Sequence, residues 1–173
     1  MRRLILLRHA KAVIPMGLDI DRALAAAGRE AAALMASYLK DEQLFPDLAL
    51  VSPAKRTRET WALARRDLGE VETRDEPRLY NASTEQLLAL VQAVEPATRT
   101  LLMVGHNPGF GDLARILVGH GDRYAFARLA KGFPTCALAV TDFAVDDWSG
   151  VAARGGRLDR FVTPASLGGA DED

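Results

Sequence analysis

Three short apolar runs, Leu4 to Leu7, Leu48 to Val51 and Thr100 to Val104, most constrain what this chain can fold into. Each is too short for a helix, and a continuous apolar run of this length reads as a strand buried on both faces. Helical periodicity fills the gaps between them. From about Leu24 to Asp41 the positions Ala27, Ala31, Leu34, Met35, Tyr38 and Leu39 recur at spacings of three and four. Pro46 then forbids continuation. Ser52-Pro53 predicts a cap and a helix start, with the helix running to about Leu68. Ser83 followed by Gln86 fits a capping box ahead of the apolar face Leu87, Leu88, Val91 and Val94. After the third run, Gly105-His106-Asn107-Pro108-Gly109 closes the strand, and Phe110, Leu113, Ala114 and Leu117 resume helical spacing. Cys136 to Phe143 and Arg157 to Thr163 mix polar and apolar residues in two-residue steps, which predicts weaker strands toward a sheet edge.

Strands buried on both faces need helices on both sides, so the expected fold class is α/β: a three-layer α/β/α domain with a mostly parallel central sheet. A chain of 173 residues fits one core, expected over 1–165, with 166–173 as a flexible acidic tail. The 22 basic and 23 acidic side chains nearly cancel. That removes the broad positive field of non-specific nucleic-acid binding, so any anion site must be local. Cys136 is the single cysteine, which excludes an intrachain disulfide and a clustered-cysteine zinc site and fits a reducing compartment. Arg8, His9 and Lys11 interrupt the first apolar run well short of a signal peptide or membrane span. The expectation is a cytoplasmic protein without membrane association. The glycines lack the spacing of a dinucleotide fingerprint or phosphate loop, so no nucleotide cofactor is expected.

In such sheets, ligands bind where the chain leaves the carboxyl ends of the strands. His9 follows the first run, Arg56 the second and His106 the third, so all should face one edge, joined by Arg8. Arginines gathered together repel unless an anion lies between them. Phosphate suits planar guanidinium groups, and a helix start after Pro53 or Pro108 offers further N–H donors. A neutral imidazole can attack phosphorus while a protonated neighbour balances the charge on the transferring oxygens, with no metal required. Spacing leaves open which histidine attacks. His120, between two glycines, reads as a loop residue, Arg58 as a surface charge, Trp61 and Trp148 as packing residues, and Cys136 as a small apolar filler.

Leu7-Arg8-His9-Ala10 resembles the R-H-G/A signature of the histidine phosphatase superfamily, and the segment from Ser52 to Thr60 resembles its S-P-x-x-R-T-x-E-T stretch. Gly105-His106-Asn107-Pro108-Gly109 matches a third motif, and the three occur in the family's order over essentially the whole chain. The resemblance implies His9 as the phosphorylated nucleophile, Arg8 and Arg56 as phosphate clamps, and His106 as the second histidine of the pocket. The chain lacks the large helical insertion that walls off the site in mutases and phytases. It also carries no general-acid glutamate around Leu79 to Ser83. Both departures resemble the SixA-like branch, whose members remove phosphate from histidine on proteins. The leaving imidazole can be protonated near neutral pH, so weak acid catalysis suffices. Asp19, Asp21 and Glu85 are the candidate proton donors. Alternatives are a phosphatase of small phosphomonoesters and a non-catalytic phosphate-binding protein of the same fold.

Overall fold

The computed structural model describes residues 1–170. Seven strands form one sheet: β1 (Arg2–Arg8), β2 (Leu48–Val51), β3 (Glu72–Asp75), β4 (Thr100–Gly105), β5 (Val118–Gly121), β6 (Leu138–Phe143) and β7 (Gly156–Val162), in the order β3-β2-β4-β1-β6-β7-β5. β6 runs antiparallel to both its neighbours, and all other pairings are parallel.

The helices are α1 (Ala26–Asp41), α2 (Lys55–Ala64), α3 (Thr84–Gln92), α4 (Gly109–Leu117) and α5 (Arg123–Lys131). Strand alternation divides the core into two layers. Ile5, Leu7, Ala49, Val51, Leu102 and Val104 meet Ala32, Met35, Leu39 and Trp61 of α1 and α2 on one face. Leu4, Leu6, Leu48, Leu50, Leu101 and Met103 meet Leu87, Val91, Phe110, Leu113 and Leu129 of α3, α4 and α5 on the other. The period of two explains why these central runs read as unbroken apolar segments: both faces are dry. The expected three-layer α/β/α architecture is the one observed.

Local chemistry sets several boundaries. Ser83 Oγ accepts from the Gln86 amide at 3.2 Å, while Gln86 Oε1 accepts from the Ser83 amide at 2.8 Å, completing the capping box of α3. The helix after Ser52-Pro53 begins at Lys55 and ends at Ala64, short of Leu68, and no side chain caps its start. The Ser52 hydroxyl is engaged elsewhere. Gly105 lies where Phe110 folds back against β4; a Cβ there would meet the ring at 2.6 Å.

Two expectations about the sheet are corrected. β6 is fully buried between β1 and β7, and β7 is itself covered by β5, so neither lies at an edge. The polar residue that disguised β6, Asp142, is neutralised by Arg3 at 2.7 Å and Arg157 at 3.0 Å. His120 belongs to edge strand β5 and not to a loop. After β7 the chain makes a 3-10 turn over Ala165–Leu167, where Ser166 and Thr163 exchange hydrogen bonds and the Gly169 amide donates to the Pro164 carbonyl at 2.8 Å. Residues 171–173 lie outside the described residues.

Candidate active site

The carboxyl ends of β1, β2 and β4 are locked side by side. The His9 amide donates to the Gly105 carbonyl and the Ser52 amide to the Val104 carbonyl, each at 3.1 Å. The chain leaving β1 is further held by Thr60 of α2, whose hydroxyl accepts from the Ala10 amide at 2.9 Å and donates to the Arg56 carbonyl at 2.7 Å. Thr57 Oγ1 contacts the Ser52 carbonyl at 2.7 Å. The two threonines of the Ser52-to-Thr60 motif thus fasten the strand ends to the helix. Glu59 accepts from the Leu24 amide at 2.9 Å and from Arg29 at 2.6 Å, tying the loop after His9 to the same helix.

This frame brings His9, His106, Arg8 and Arg56 together, as the spacing predicted. The rings of His9 and His106 lie 5.3 Å apart at 55°. His9, 8 % exposed, places Nδ1 2.8 Å from the Ala10 carbonyl. A carbonyl only accepts, so Nδ1 carries the hydrogen and Nε2 keeps the lone pair. His106 Nδ1 lies 3.3 Å from an Arg56 guanidinium nitrogen, and its Nε2 lies 2.7 Å from Ser52 Oγ. Guanidinium only donates, so His106 Nδ1 accepts and Nε2–H donates to Ser52.

Both imidazoles are held neutral. Burial lowers the pKa of His9 to about 4, aided by the charges of Arg8, Arg56 and Arg22. Burial lowers His106 to about 3, with His9 and Arg56 adding to the shift. The expected protonated partner is therefore uncharged, because burial penalises its cationic form and positive charge lies beside it.

Arg56 is 6 % exposed, donates to the Asp19 carbonyl at 2.9 Å and to Asp19 Oδ2 at 3.1 Å, and keeps its buried Nε without a protein partner. Arg8 donates to the Phe133 carbonyl at 2.9 Å. Around His9 the chain forms a cleft of about 390 Å³, walled by Arg8, Lys11, Arg22, Arg56, His106, Asn107 and Thr135. Four cations and no carboxylate line it. Lys11, Arg22, Asn107 and Thr135 were not singled out by the sequence. Arg22 arrives through the loop after His9, a position without periodicity, and Asn107 stood inside the third motif as an apparent turn residue.

The three candidate proton donors are placed differently. Asp19 sits at the rim, where it accepts from Tyr80 Oη at 2.6 Å, Arg22 at 3.2 Å and Arg56. Its pKa falls to about 2, first through the Tyr80 hydrogen bond and then through Arg22 and Arg56. A carboxylate so stabilised accepts hydrogen bonds and has no proton to give near neutral pH. Asp21 is exposed on the turn Asp19–Asp21, and Glu85 is exposed in the first turn of α3. Neither lines the His9 cleft. Arg58 is exposed on α2 and also stands apart from the cleft.

Two further recesses border the cleft and share lining residues with it. One, of about 790 Å³, shares Arg8 and Asn107 with it and extends past Arg128, Lys131 and Phe133. The other, of about 410 Å³, shares Arg56, His106 and Asn107 and reaches Asn81, Ser83 and Gln86. Among the described residues, no group of three or more histidine, cysteine or acidic side chains is arranged to hold a metal, and no helix is long and apolar enough to cross a membrane.

Comparison with known proteins gives a consistent result. Residues 4–108 match the model of the histidine phosphatase superfamily, branch 1. An uncharacterized protein of Mycobacterium tuberculosis is 33 % identical over 161 residues, covering 91 % of this chain and 99 % of its own. A solved structure from Agrobacterium tumefaciens, provisionally named phosphohistidine phosphatase SixA, is 33 % identical with a TM-score of 0.80, covering 94 % of this chain and 98 % of that one. The fold is also that of a mycobacterial glucosyl-3-phosphoglycerate phosphatase, at 19 % identity and a TM-score of 0.64 over 92 % of this chain and 97 % of that one. With three motifs converging on one cationic cleft and the family model spanning more than half of its length, the chain belongs to the histidine phosphatase superfamily.

Proposed function

We propose that this protein is a metal-independent phosphatase in which His9 Nε2 takes the phosphoryl group, and that its substrate is phosphohistidine on a protein in the cytoplasm. The observation that carries the reading is the tautomer of His9. Its Nδ1–H is committed to the Ala10 carbonyl, so a neutral Nε2 with its lone pair is available in a cleft lined by four cations.

In the first step a bond forms between Nε2 and phosphorus while the bond from phosphorus to the substrate's nitrogen breaks, and the departing imidazole is protonated from water. In the second, water attacks the phosphorylated His9, inorganic phosphate leaves, and the imidazole is restored. Arg8, Arg22 and Arg56 balance the charge of the transferring oxygens, taking the place that a metal holds in other phosphoryl-transfer sites. An arriving phosphate dianion raises the proton affinity of His106, which then gains the charge that burial denies it in the free enzyme. Asp19 acts as a positioning residue: with Tyr80 it anchors Arg56 at the rim. The carboxylates being so placed, the acid role falls to solvent, which an imidazole leaving group tolerates.

The protein-borne substrate is supported by the two recesses that border the cleft, which offer room for a polypeptide around the phosphoryl group. A small metabolite would be gripped from several directions. The relative from Agrobacterium tumefaciens supports the same substrate class by its name. The rival reading, a phosphatase of small phosphomonoesters, draws on the fold shared with the glucosyl-3-phosphoglycerate phosphatase.

The test is phosphate release, without added metal, from a histidine-phosphorylated protein and from para-nitrophenyl phosphate, for wild type and His9→Ala. Preference for the phosphoprotein, abolished in His9→Ala, is expected. Preference for the small ester would move the assignment to the metabolite class, and binding of phosphate without release from either would leave a non-catalytic member of the fold.

A further inference from the structure

Between the catalytic strand end and the Asp19–Asp21 turn, residues 13–18 form a loop of unusual composition, Val13-Ile14-Pro15-Met16-Gly17-Leu18. Apolar loop residues ordinarily fold inward, yet Val13 is 42 %, Ile14 86 %, Met16 103 % and Leu18 72 % exposed. Four exposed apolar side chains within six consecutive residues are a concentration, unlike the scattered single apolar residues of an ordinary surface. Among the described residues, a Cβ added at Gly17 would meet no atom within 4 Å beyond its chain neighbours.

The loop is not a loose excursion, because both ends are fixed by residues of the active site. The Val13 amide donates to the Ala23 carbonyl at 2.9 Å, and Arg22 Nε donates to the Val13 carbonyl at 2.9 Å. At the far end Arg56 holds the Asp19 carbonyl at 2.9 Å, and the Asp21 amide donates to the Leu18 carbonyl at 3.1 Å. The guanidinium groups of Arg22 and Arg56 thus serve both the cleft and the loop base. A molecule whose phosphoryl group sits against those arginines therefore lies next to the base of this loop.

We infer that residues 13–18 form an apolar contact surface for the body of the substrate protein, engaging apolar side chains that flank its phosphorylated residue. This rests on the protein-substrate reading above and adds to it the chemistry of the partner: a phosphoryl group for the cationic cleft and, next to it, apolar surface for the loop. Charge complementarity puts the partner's phosphoryl group against Arg22 and Arg56, and the same two arginines hold the base of the loop that carries Ile14 and Met16. A small phosphoester has no apolar surface wide enough to cover them.

The test compares three phosphohistidine substrates: the free amino acid, a peptide of about twelve residues with leucine on both sides of the phosphohistidine, and the same peptide with serine there. Wild type is compared with the double substitution Ile14→Ser/Met16→Ser and with Ile14→Leu/Met16→Leu, exposed positions whose replacement leaves the core intact. The inference predicts that wild type prefers the leucine peptide roughly tenfold in kcat/KM through KM, that the serine variant loses this preference while hydrolysing the free amino acid unchanged, and that the leucine variant keeps it. Equal turnover of both peptides by wild type overturns the inference, as does an equal loss on all three substrates, which would make the loop part of the phosphate pocket itself. Wild-type sedimentation with phosphatidylglycerol vesicles, lost in the serine variant while the peptide preference is absent, would assign the loop to a lipid surface and also overturn it. Failure of wild type to hydrolyse any phosphohistidine substrate while cleaving para-nitrophenyl phosphate would instead refute the substrate reading on which the inference rests.

Discussion

Acidification from pH 7 to pH 5 should destabilise this protein strongly, and the loss should trace to the buried histidine pair, His9 and His106. In an unfolded chain a histidine titrates near the ordinary value of 6.5, whereas in the fold His9 titrates at about 4 and His106 at about 3. Between these limits the unfolded state binds more protons than the native state, so stability rises with pH through the window and falls as pH is lowered. A group neutral in the fold at pH 5 and protonated when unfolded withdraws about 2 kcal/mol, so the pair withdraws about 4 kcal/mol, a large share of a typical domain stability. Carboxylates contribute little there, since Asp19 titrates lower still, at about 2, and loses its contribution only below its unfolded value of 3.8. Urea unfolding followed by far-ultraviolet circular dichroism at pH 7 and pH 5 measures the loss. His9→Gln/His106→Gln removes both titrations, so its stability should fall by about 4 kcal/mol less over the same interval, while the other titrating groups, common to both proteins, cancel. Equal pH dependence in wild type and double variant would refute the buried neutral pair.

Ser52→Ala removes the acceptor of His106 Nε2–H, found at 2.7 Å, and should lower kcat by roughly tenfold or more while costing about 1–3 kcal/mol of stability, read from steady-state kinetics and denaturation together. Asp19→Asn should lower turnover by no more than roughly tenfold, far less than His9→Ala, because the ionised carboxylate anchors Arg56 and supplies no proton; a loss as complete as that of His9→Ala would restore Asp19 as the acid. Gly105→Ala should lower Tm by roughly 5 °C, since its methyl group would lie 2.6 Å from the Phe110 ring.

Much of this arrangement was legible in the sequence because the central strands are dry on both faces. Leu4 to Leu7, Leu48 to Val51 and Thr100 to Val104 fall in β1, β2 and β4, the three strands whose ends build the site, so His9, Arg56 and His106 could be placed at one rim before any coordinates. What escaped was polar or compensated. β3 is Glu72–Asp75, an exposed edge strand paired only with β2, with no apolar residue to signal it. α5 is announced chiefly by the Asp122 cap, whose carboxylate accepts from the Ala125 amide at 2.7 Å. β6 looked peripheral because Asp142 interrupts it, and one-dimensional patterning does not reveal the Arg3 and Arg157 partners. At the site, chain order brought His9, Arg56 and His106 to one rim but did not reveal the protonation states. The neutral form of His106 follows from burial among cations, and the low pKa of Asp19 from its meeting with Tyr80, 61 residues away in sequence.

Covalent capture of phosphate on His9 is the central claim, and rapid acid-free quenching of the enzyme with a phosphohistidine protein, followed by peptide mass spectrometry at neutral to alkaline pH, tests it most directly. The tautomer set by the Ala10 carbonyl predicts one added phosphoryl group on the peptide containing His9, attached at Nε2 and absent in His9→Ala. Phosphorylation at His106 instead, or turnover by His9→Ala at the wild-type rate, would contradict it.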